Sequence, residues 1–377
     1  MDNIIYLDNS ATTKPCKKSL EFLNNALTEK WGNPSSLHKL GVESEILLNS
    51  ARETISRFIK ASPDEIVFTG SGTEANNTAI MSVAGRTWGN RVVTTEIEHP
   101  SVLETVKRLE EKGFEIIKLK TGKDGKISLE ELRNALTNKT VLVSIMLVNN
   151  EIGTIQPILE ASKIIKELSP RAIFHCDAVQ AFGKIPINVK SLGVDMLTVS
   201  GHKVHAPKGI GFLYCKKNVK IPPFITGGGQ ERGMRSGTES VPLISAFEGA
   251  VLELGDISNS FKKVEEIRNY AVELFEESGF AKVNSPKDAL PYILNISVTG
   301  YRSETLLHFL EKENIFVSSG SACAKGETSY VLKSLGLNSK EIDSALRISF
   351  SKENEKSQID ALYSALEKAT KTLRRSN

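Results

Sequence analysis

From residue 65 to residue 222 the hydrophobic positions of this chain alternate between two patterns. Short, nearly unbroken apolar runs lie at 65–69, 91–95, 114–119, 140–147, 172–175, 194–199 and 210–214. Between most of them the apolar residues fall at helical spacing, over 73–84, 100–112 and 157–168, and Ser128 opens a further helix with Glu131 at the capping-box spacing. Strands that are apolar throughout belong to a sheet covered on both faces, so the pattern predicts a mainly parallel sheet between layers of helices, an α/β fold. Upstream, a short strand over 4–7 precedes helices over 17–30 and 39–60, with the turn cluster Trp31-Gly32-Asn33-Pro34-Ser35-Ser36 between them. Beyond Pro222-Pro223 and Gly227-Gly228-Gly229 the alternation stops. A long helix over 240–278 then leads to strands at 292–298, 315–318 and 346–350 and helices at 303–313, 328–336, 339–345 and 354–374. That grouping predicts a smaller α+β domain.

Composition narrows the class. The 377 residues are 40% hydrophobic and 25% charged with a net charge of +3, the balance of an ordinary globular protein with no obligatory nucleic-acid partner. No apolar stretch reaches bilayer-spanning length, and the N-terminus lacks a basic region followed by an apolar core, so neither a membrane span nor a secretory signal is expected. Cys16, Cys176, Cys215 and Cys323 are far apart and form no C-x-x-C, which argues against a disulfide framework or a zinc site and fits a reducing cytoplasm.

The candidate chemistry gathers at the ends of strands. Lys203 lies in Ser200-Gly201-His202-Lys203, among small residues between two apolar runs. A lysine there is either a solvated loop cation or a partly buried amine, able to form a Schiff base with an aldehyde such as pyridoxal phosphate. Gly70-Ser71-Gly72-Thr73-Glu74-Ala75 follows a strand and opens a helix, where backbone N–H groups cradle phosphate. The same segment satisfies G-x-G-x-x-A, with Glu96 at the end of the next strand, so a nicotinamide-dependent dehydrogenase competes at this point. Asp177 follows a strand directly, as either a helix cap or a carboxylate that keeps a pyridine nitrogen protonated. His99 also lies between strand and helix. Arg347, in a short strand of the second domain, is a candidate carboxylate clamp or a surface ion pair. Cys323 sits in a Gly/Ser loop two residues from Lys325, where a nearby cation favours thiolate.

Taken in order, Tyr6-Leu7-Asp8-Asn9-Ser10-Ala11-Thr12-Thr13, Gly32-Asn33-Pro34-Ser35-Ser36, Val148-Asn149-Asn150-Glu151-Ile152-Gly153, Ser200-Gly201-His202-Lys203, Glu231-Arg232-Gly233-Met234-Arg235-Ser236-Gly237-Thr238 and Ser318-Ser319-Gly320-Ser321-Ala322-Cys323 resemble the cysteine desulfurases of the NifS/IscS type, from about residue 4 to residue 350. The resemblance implies a type I pyridoxal-phosphate-dependent transferase fold. Its large domain would span 15–255, with a seven-stranded type of sheet, and its small domain 1–14 with 256–377. It implies conversion of L-cysteine to L-alanine, with the sulfur passed to Cys323 as a persulfide. Lys203 would hold pyridoxal 5′-phosphate covalently, Asp177 would pair with the ring nitrogen, and His99 would stack on the ring and assist proton transfer. Gly72, Thr73, Ser200 and His202 would bind the phosphate, and Thr238 would reach the phosphate of the neighbouring subunit of a homodimer. Asn150 and Gln180 would contact cofactor or substrate, Gln180 near the phenolic oxygen, and Arg347 would bind the substrate carboxylate.

The chain departs from the family pattern in places. Only five residues separate Cys323 from Ser329, where the family loop is slightly longer; Ala206 and Gly72 stand where Gly and Ala are common. The IscS-type enzymes carry a further C-terminal tail that helps dock the iron–sulfur scaffold, and this chain ends soon after its last helix. The expected acceptor is therefore an iron–sulfur scaffold or a carrier for tRNA thiolation. A selenocysteine lyase or another β-eliminating enzyme on the same fold, and a non-catalytic assembly partner, are the further alternatives.

Overall fold

The structure, a computed structural model, describes residues 4–319 and 328–375. Its strands, in chain order, are β1 (Ile5–Tyr6), β2 (Ile66–Thr69), β3 (Arg91–Thr95), β4 (Glu115–Leu119), β5 (Thr140–Ser144), β6 (Ile173–Asp177), β7 (Met196–Ser200), β8 (Gly211–Cys215), β9 (Lys282–Val283), β10 (Ile293–Ser297), β11 (Ile315–Phe316), β12 (Ser318–Ser319) and β13 (Ala345–Ser349). β2 to β8 form one seven-stranded sheet in the order β2-β8-β7-β6-β5-β3-β4. β4, β3, β5, β6 and β7 run parallel, and β8 is antiparallel to both its neighbours, so β2 and β7 point the same way.

The apolar runs explain this arrangement. Every residue of β5, β6, β7 and β8 is buried, as a strand covered on both faces requires. Side chains alternate between two cores. Phe174, Leu197, Val199, Phe212 and Tyr214 face one, while Ile173, Met196, Leu213 and Cys215 face the other. On the first face Phe182 sits among Phe58, Phe212 and Phe247, with centroids 5.0, 5.5 and 6.0 Å away. Those contacts fasten helices Lys39–Phe58 and Val241–Leu254 to the sheet.

Gly211 pairs with both Thr69 and Ser200. A Cβ there would lie 2.6 Å from the Val199 carbonyl oxygen and 3.0 Å from the Ser71 carbonyl carbon. Glycine is what lets the turn after β2 close against the end of β7.

Beyond the large sheet, β12-β13-β10-β9 form an antiparallel sheet, and β1 pairs in parallel with β11, setting Ile5 opposite Ile315. The first strand of the chain is thus built into its C-terminal part. Two expected elements divide. The helix expected over 240–278 is two, Val241–Leu254 and Ile257–Glu277, because Gly255 takes φ 58° and Asp256 caps the second by accepting from Ser258 N at 2.9 Å. The strand expected over 315–318 is β11 and β12, which pair with β1 and β13 respectively.

A buried ion pair ties helix Lys39–Phe58 to the segment after the large sheet. Arg52 donates to both carboxylate oxygens of Glu231, at 2.6 and 3.0 Å, and to the Ile66 carbonyl at 2.5 Å, while Phe68 N donates to Glu231 at 2.9 Å. Glu231 and Arg232 both hold positive φ, at 48° and 57°. Glu231→Ala strands the Arg52 charge in a dry site and is expected to cost about 3–5 kcal/mol, read as a lowered urea midpoint with an unchanged slope.

Candidate active site

The direction of the strands decides where the polar residues collect. The carboxyl ends of β2, β3, β5, β6 and β7 share one edge, and ligands of open α/β sheets bind at such an edge. The turn after β2 supplies Gly72 and Thr73, that after β3 supplies His99, and that after β5 supplies Asn150. Asp177 is the last residue of β6, and Ser200 ends β7. A cavity of about 340 Å³ opens there, lined by Gly72, Thr73, His99, Asn150, Asp177, Gln180, Ser200, His202, Lys203 and Arg347. Ser10, Asn76, Ser101 and Met146 complete much of its wall. Thr238 is exposed and is not part of this wall, and Cys323 lies outside the described residues.

Lys203 ends a 3₁₀ turn, Gly201–Lys203, and donates to the carbonyl oxygens of Ser10 at 2.5 Å and Ala11 at 2.7 Å. The loop carrying those carbonyls is held at both ends. Thr13 N donates to the His202 carbonyl at 2.9 Å, and Asn9 Nδ2 donates to the Ser349 carbonyl of β13 at 2.9 Å. Gln180 Nε2 donates to the same Ser10 carbonyl at 3.0 Å, and Lys184 Nζ donates to Gln180 Oε1 at 3.0 Å. Lys184 is buried, and that burial, followed by the charges of Lys203 and Arg347, brings its amine down to about 7.

Asp177 is only 5% exposed. One oxygen accepts from Val179 N at 2.9 Å and the other from Asn76 Nδ2 at 2.7 Å. His99 caps helix Pro100–Glu110, its Nδ1 accepting from Ser101 N at 3.1 Å. Burial lowers the His99 pKa and Lys203 acts in the same sense, against Asp177. Burial also takes His202 down to about 4, with Lys203, Lys208 and Lys184 adding to it.

Arg347, from β13, donates to Asp8 Oδ1 at 3.0 Å and to the Asn150 carbonyl at 3.1 Å, and among the described residues its Nε has no partner. Asp8 is raised despite this ion pair, since desolvation outweighs the guanidinium. Among the described residues that line the cavity Glu96 is not found; it accepts from Thr121 N at 3.1 Å, away from the ribose-binding role of the dehydrogenase reading.

The cavity fits a phosphorylated pyridine aldehyde. Gly72 opens a ten-residue helix, and a Cβ there would come within 3.1 Å of Val179 Cγ2 and 3.2 Å of Ser200 Cβ, so the helix start is packed onto the strand end beside the Ser200 and Thr73 hydroxyls. A buried carboxylate, an imidazole and an amine share the same wall. Asn76, Ser101, Lys184 and Glu98 were not singled out in the sequence. The one available signal was polar residues at positions that a helix or turn buries, as at Asn76 within Gly72–Met81.

The aminotransferase class-V family model matches residues 5–362. A curated cysteine desulfurase of Trichormus azollae is 40% identical over 99% of this chain and 94% of its own length. Cysteine desulfurase IscS of Clostridium botulinum is 40% identical over 99% of this chain and 96% of its own. Among solved structures, a NifS-like protein superposes with TM-score 0.93 at 36% identity, covering 98% of this chain and all of its own. A structure described as SspA in complex with cysteine superposes with TM-score 0.83 at 34% identity over 93% of this chain and all of its own.

Glu98 lies behind His99, fully buried, accepting from Met146 N at 2.8 Å and Thr95 Oγ1 at 2.9 Å. Burial raises its carboxyl to about 8. The folded state therefore binds a proton that the unfolded chain has lost between its ordinary value of 4.5 and about 8. This contribution to stability is complete below that window and declines as pH rises through it. Glu98→Gln is expected to remove that part of the decline in urea unfolding followed across pH.

Proposed function

This chain belongs to the class-V aminotransferase family, and we propose that it is a cysteine desulfurase, taking sulfur from L-cysteine and releasing L-alanine. The observation that carries the reading is the single cavity shared by Lys203, Asp177, His99 and Arg347. Its cofactor is pyridoxal 5′-phosphate, which when bound supplies an aldehyde for amines and a ring that takes up the electron pair released at a substrate Cα. Lys203 holds it, and Asp177 keeps the ring nitrogen protonated. Gly72, Thr73, Ser200 and His202 hold the phosphate. Gln180 and Asn150 bind around the ring and substrate, and Arg347 takes the substrate carboxylate.

Freed when the substrate amine takes its place, Lys203 Nζ removes the Cα proton of L-cysteine. The Cys323 thiolate then attacks the substrate sulfur; an S–S bond forms as the C–S bond breaks, its electron pair passes to the carbon skeleton, which takes up a proton at Cβ, and Cα regains its proton from Lys203 Nζ before L-alanine leaves. The other cysteines support this assignment. Burial raises the thiol pKa of Cys16 and Cys176 and brings Cys215 to about 12, so none of the three is poised as a thiolate.

The protein works as a homodimer in the cytoplasm and hands its sulfur to an iron–sulfur scaffold or a thiolation carrier. Helices Lys17–Thr28 and Lys39–Phe58 expose Leu20, Leu27, Val42 and Ile46, with Trp31 64% and Leu37 99% exposed between them, which supports a second copy covering this surface. Exposure of Thr238 supports its reaching the neighbouring subunit's phosphate. Unpaired Cys16, Cys176 and Cys215 support a reducing compartment. Pairing of β1 with β11 supports a small domain of residues 1–14 with 256–377 beside a large one of 15–255. Among the described residues no helix is long and apolar enough to cross a membrane.

Cys323→Ser is expected to end alanine formation from L-cysteine while the visible absorption of the bound cofactor persists. Lys203→Ala is expected to slow alanine formation by about 10²–10⁴-fold or more. Alanine formation undiminished in Cys323→Ser would sink the persulfide reading.

A further inference from the structure

His99 and Asp177 are joined through Asn76 and Ser101 by hydrogen bonds whose directions are fixed from both ends. At one end, both Asp177 oxygens accept from N–H groups, so the atom of Asn76 that lies 2.7 Å from Asp177 Oδ2 is the amide nitrogen, a donor. The same nitrogen lies 2.8 Å from Ser101 Oγ and gives it the second amide proton. Ser101 Oγ accepts there, and its own proton points onward to His99 Nδ1, 2.8 Å away. At the other end, Ser101 N, a backbone group that can only donate, lies 3.1 Å from the same Nδ1. Two donors converge on Nδ1, so it carries no proton, and the ring proton is on Nε2. Among the described residues the buried Asn76 Oδ1 meets no partner, a cost the opposite amide orientation would exceed by setting its oxygen against a carboxylate.

We propose that His99 works as a neutral imidazole, protonated at Nε2, that takes no proton during turnover, with Asn76 and Ser101 as the positioning residues that hold this tautomer. The inference rests on the functional reading above and narrows it. Charging the ring would place a proton on Nδ1, reverse the Ser101 hydroxyl and strip the acceptor from the first turn of helix Pro100–Glu110. The Cα proton therefore goes to Lys203 Nζ, and the proton-transfer role that the family resemblance implies for His99 is set aside. The groups around the ring do not reverse this. Asp177 favours the cation, Lys203 opposes it, and burial, the largest influence, opposes it too. Arg347 and His202 share the cavity wall, and Glu98, behind it, is raised to about 8.

The test is the nitrogen NMR spectrum of ¹⁵N-histidine-labelled, cofactor-loaded protein, with the His99 signals assigned by their loss in His99→Gln. The expected result is an unprotonated Nδ1 and a protonated Nε2 that do not change from about pH 6 to 9. Ser101→Ala keeps the backbone donor and removes the hydroxyl, so when both proteins are titrated from pH 9 on into acid His99 is expected to take its proton about one pH unit above the wild type. Ser101→Thr restores the wild-type behaviour. A proton on Nδ1 or an imidazolium at neutral pH in the wild type overturns the proposal, as does an unmoved titration in a folded Ser101→Ala protein. The spectrum needs no turnover. The expected tautomer in a protein that makes no alanine would overturn the functional reading alone, and alanine formation with Nδ1 protonated would overturn this one alone.

Discussion

A half-buried ammonium needs acceptors, and Lys203 finds two in the carbonyl oxygens of Ser10 and Ala11. The loop bearing those carbonyls also receives Gln180 at Ser10, reaches β13 through Asn9, pairs Asp8 with Arg347, and is tied to the Lys203 turn through Thr13. A stretch beginning just after the first strand of the chain therefore holds the reactive lysine and the guanidinium in one frame. Asn9 and Arg347 belong to this frame through β13, so displacing the loop would disturb the amine, the guanidinium and the Gln180 amide together.

Burial sets the protonation chemistry of the wall and of the groups packed behind it. It raises Glu98 and Glu151 toward neutrality, to about 8 and about 7, and brings His202 and Lys184 down, to about 4 and about 7. Fixed donors then decide what each remaining group can do. Asp177 is satisfied by Val179 N and the Asn76 amide, and His99 Nδ1 by the first turn of its own helix. The same constraints extend to Ser329 and Tyr330. Ser329 donates to Glu151 at 2.6 Å, and Tyr330 donates to the Glu98 carbonyl at 2.7 Å, next to His99.

Much of this was legible in the sequence, because the physics involved is local. Short apolar runs without alternation, bounded by turn residues, read as strands covered on both faces, and β5 to β8 are that. A strand followed by Gly-Ser-Gly-Thr can open a helix at a phosphate, and helix Gly72–Met81 begins there with Ser71 as its cap. The errors were local as well. The sequence pattern ran helical periodicity through Gly255, whose positive φ ends one helix before Asp256 caps the next. Periodicity also could not show that Val317 separates two strands belonging to different sheets.

By itself the sequence determined the order of strands and helices and the residue types at the strand ends, since apolar period, caps and turn chemistry act over a few neighbours. The family motifs then marked most of the residues that line the cavity. The tertiary structure alone decided which partner each of them meets. Asn76 reaches Asp177 across 101 positions of sequence, Lys203 meets Ser10 across 193, and Arg347 meets Asp8 across 339. No local pattern encodes such pairings. They exist because parallel strands must end at a common edge and because polar groups buried at that edge must find donors and acceptors there.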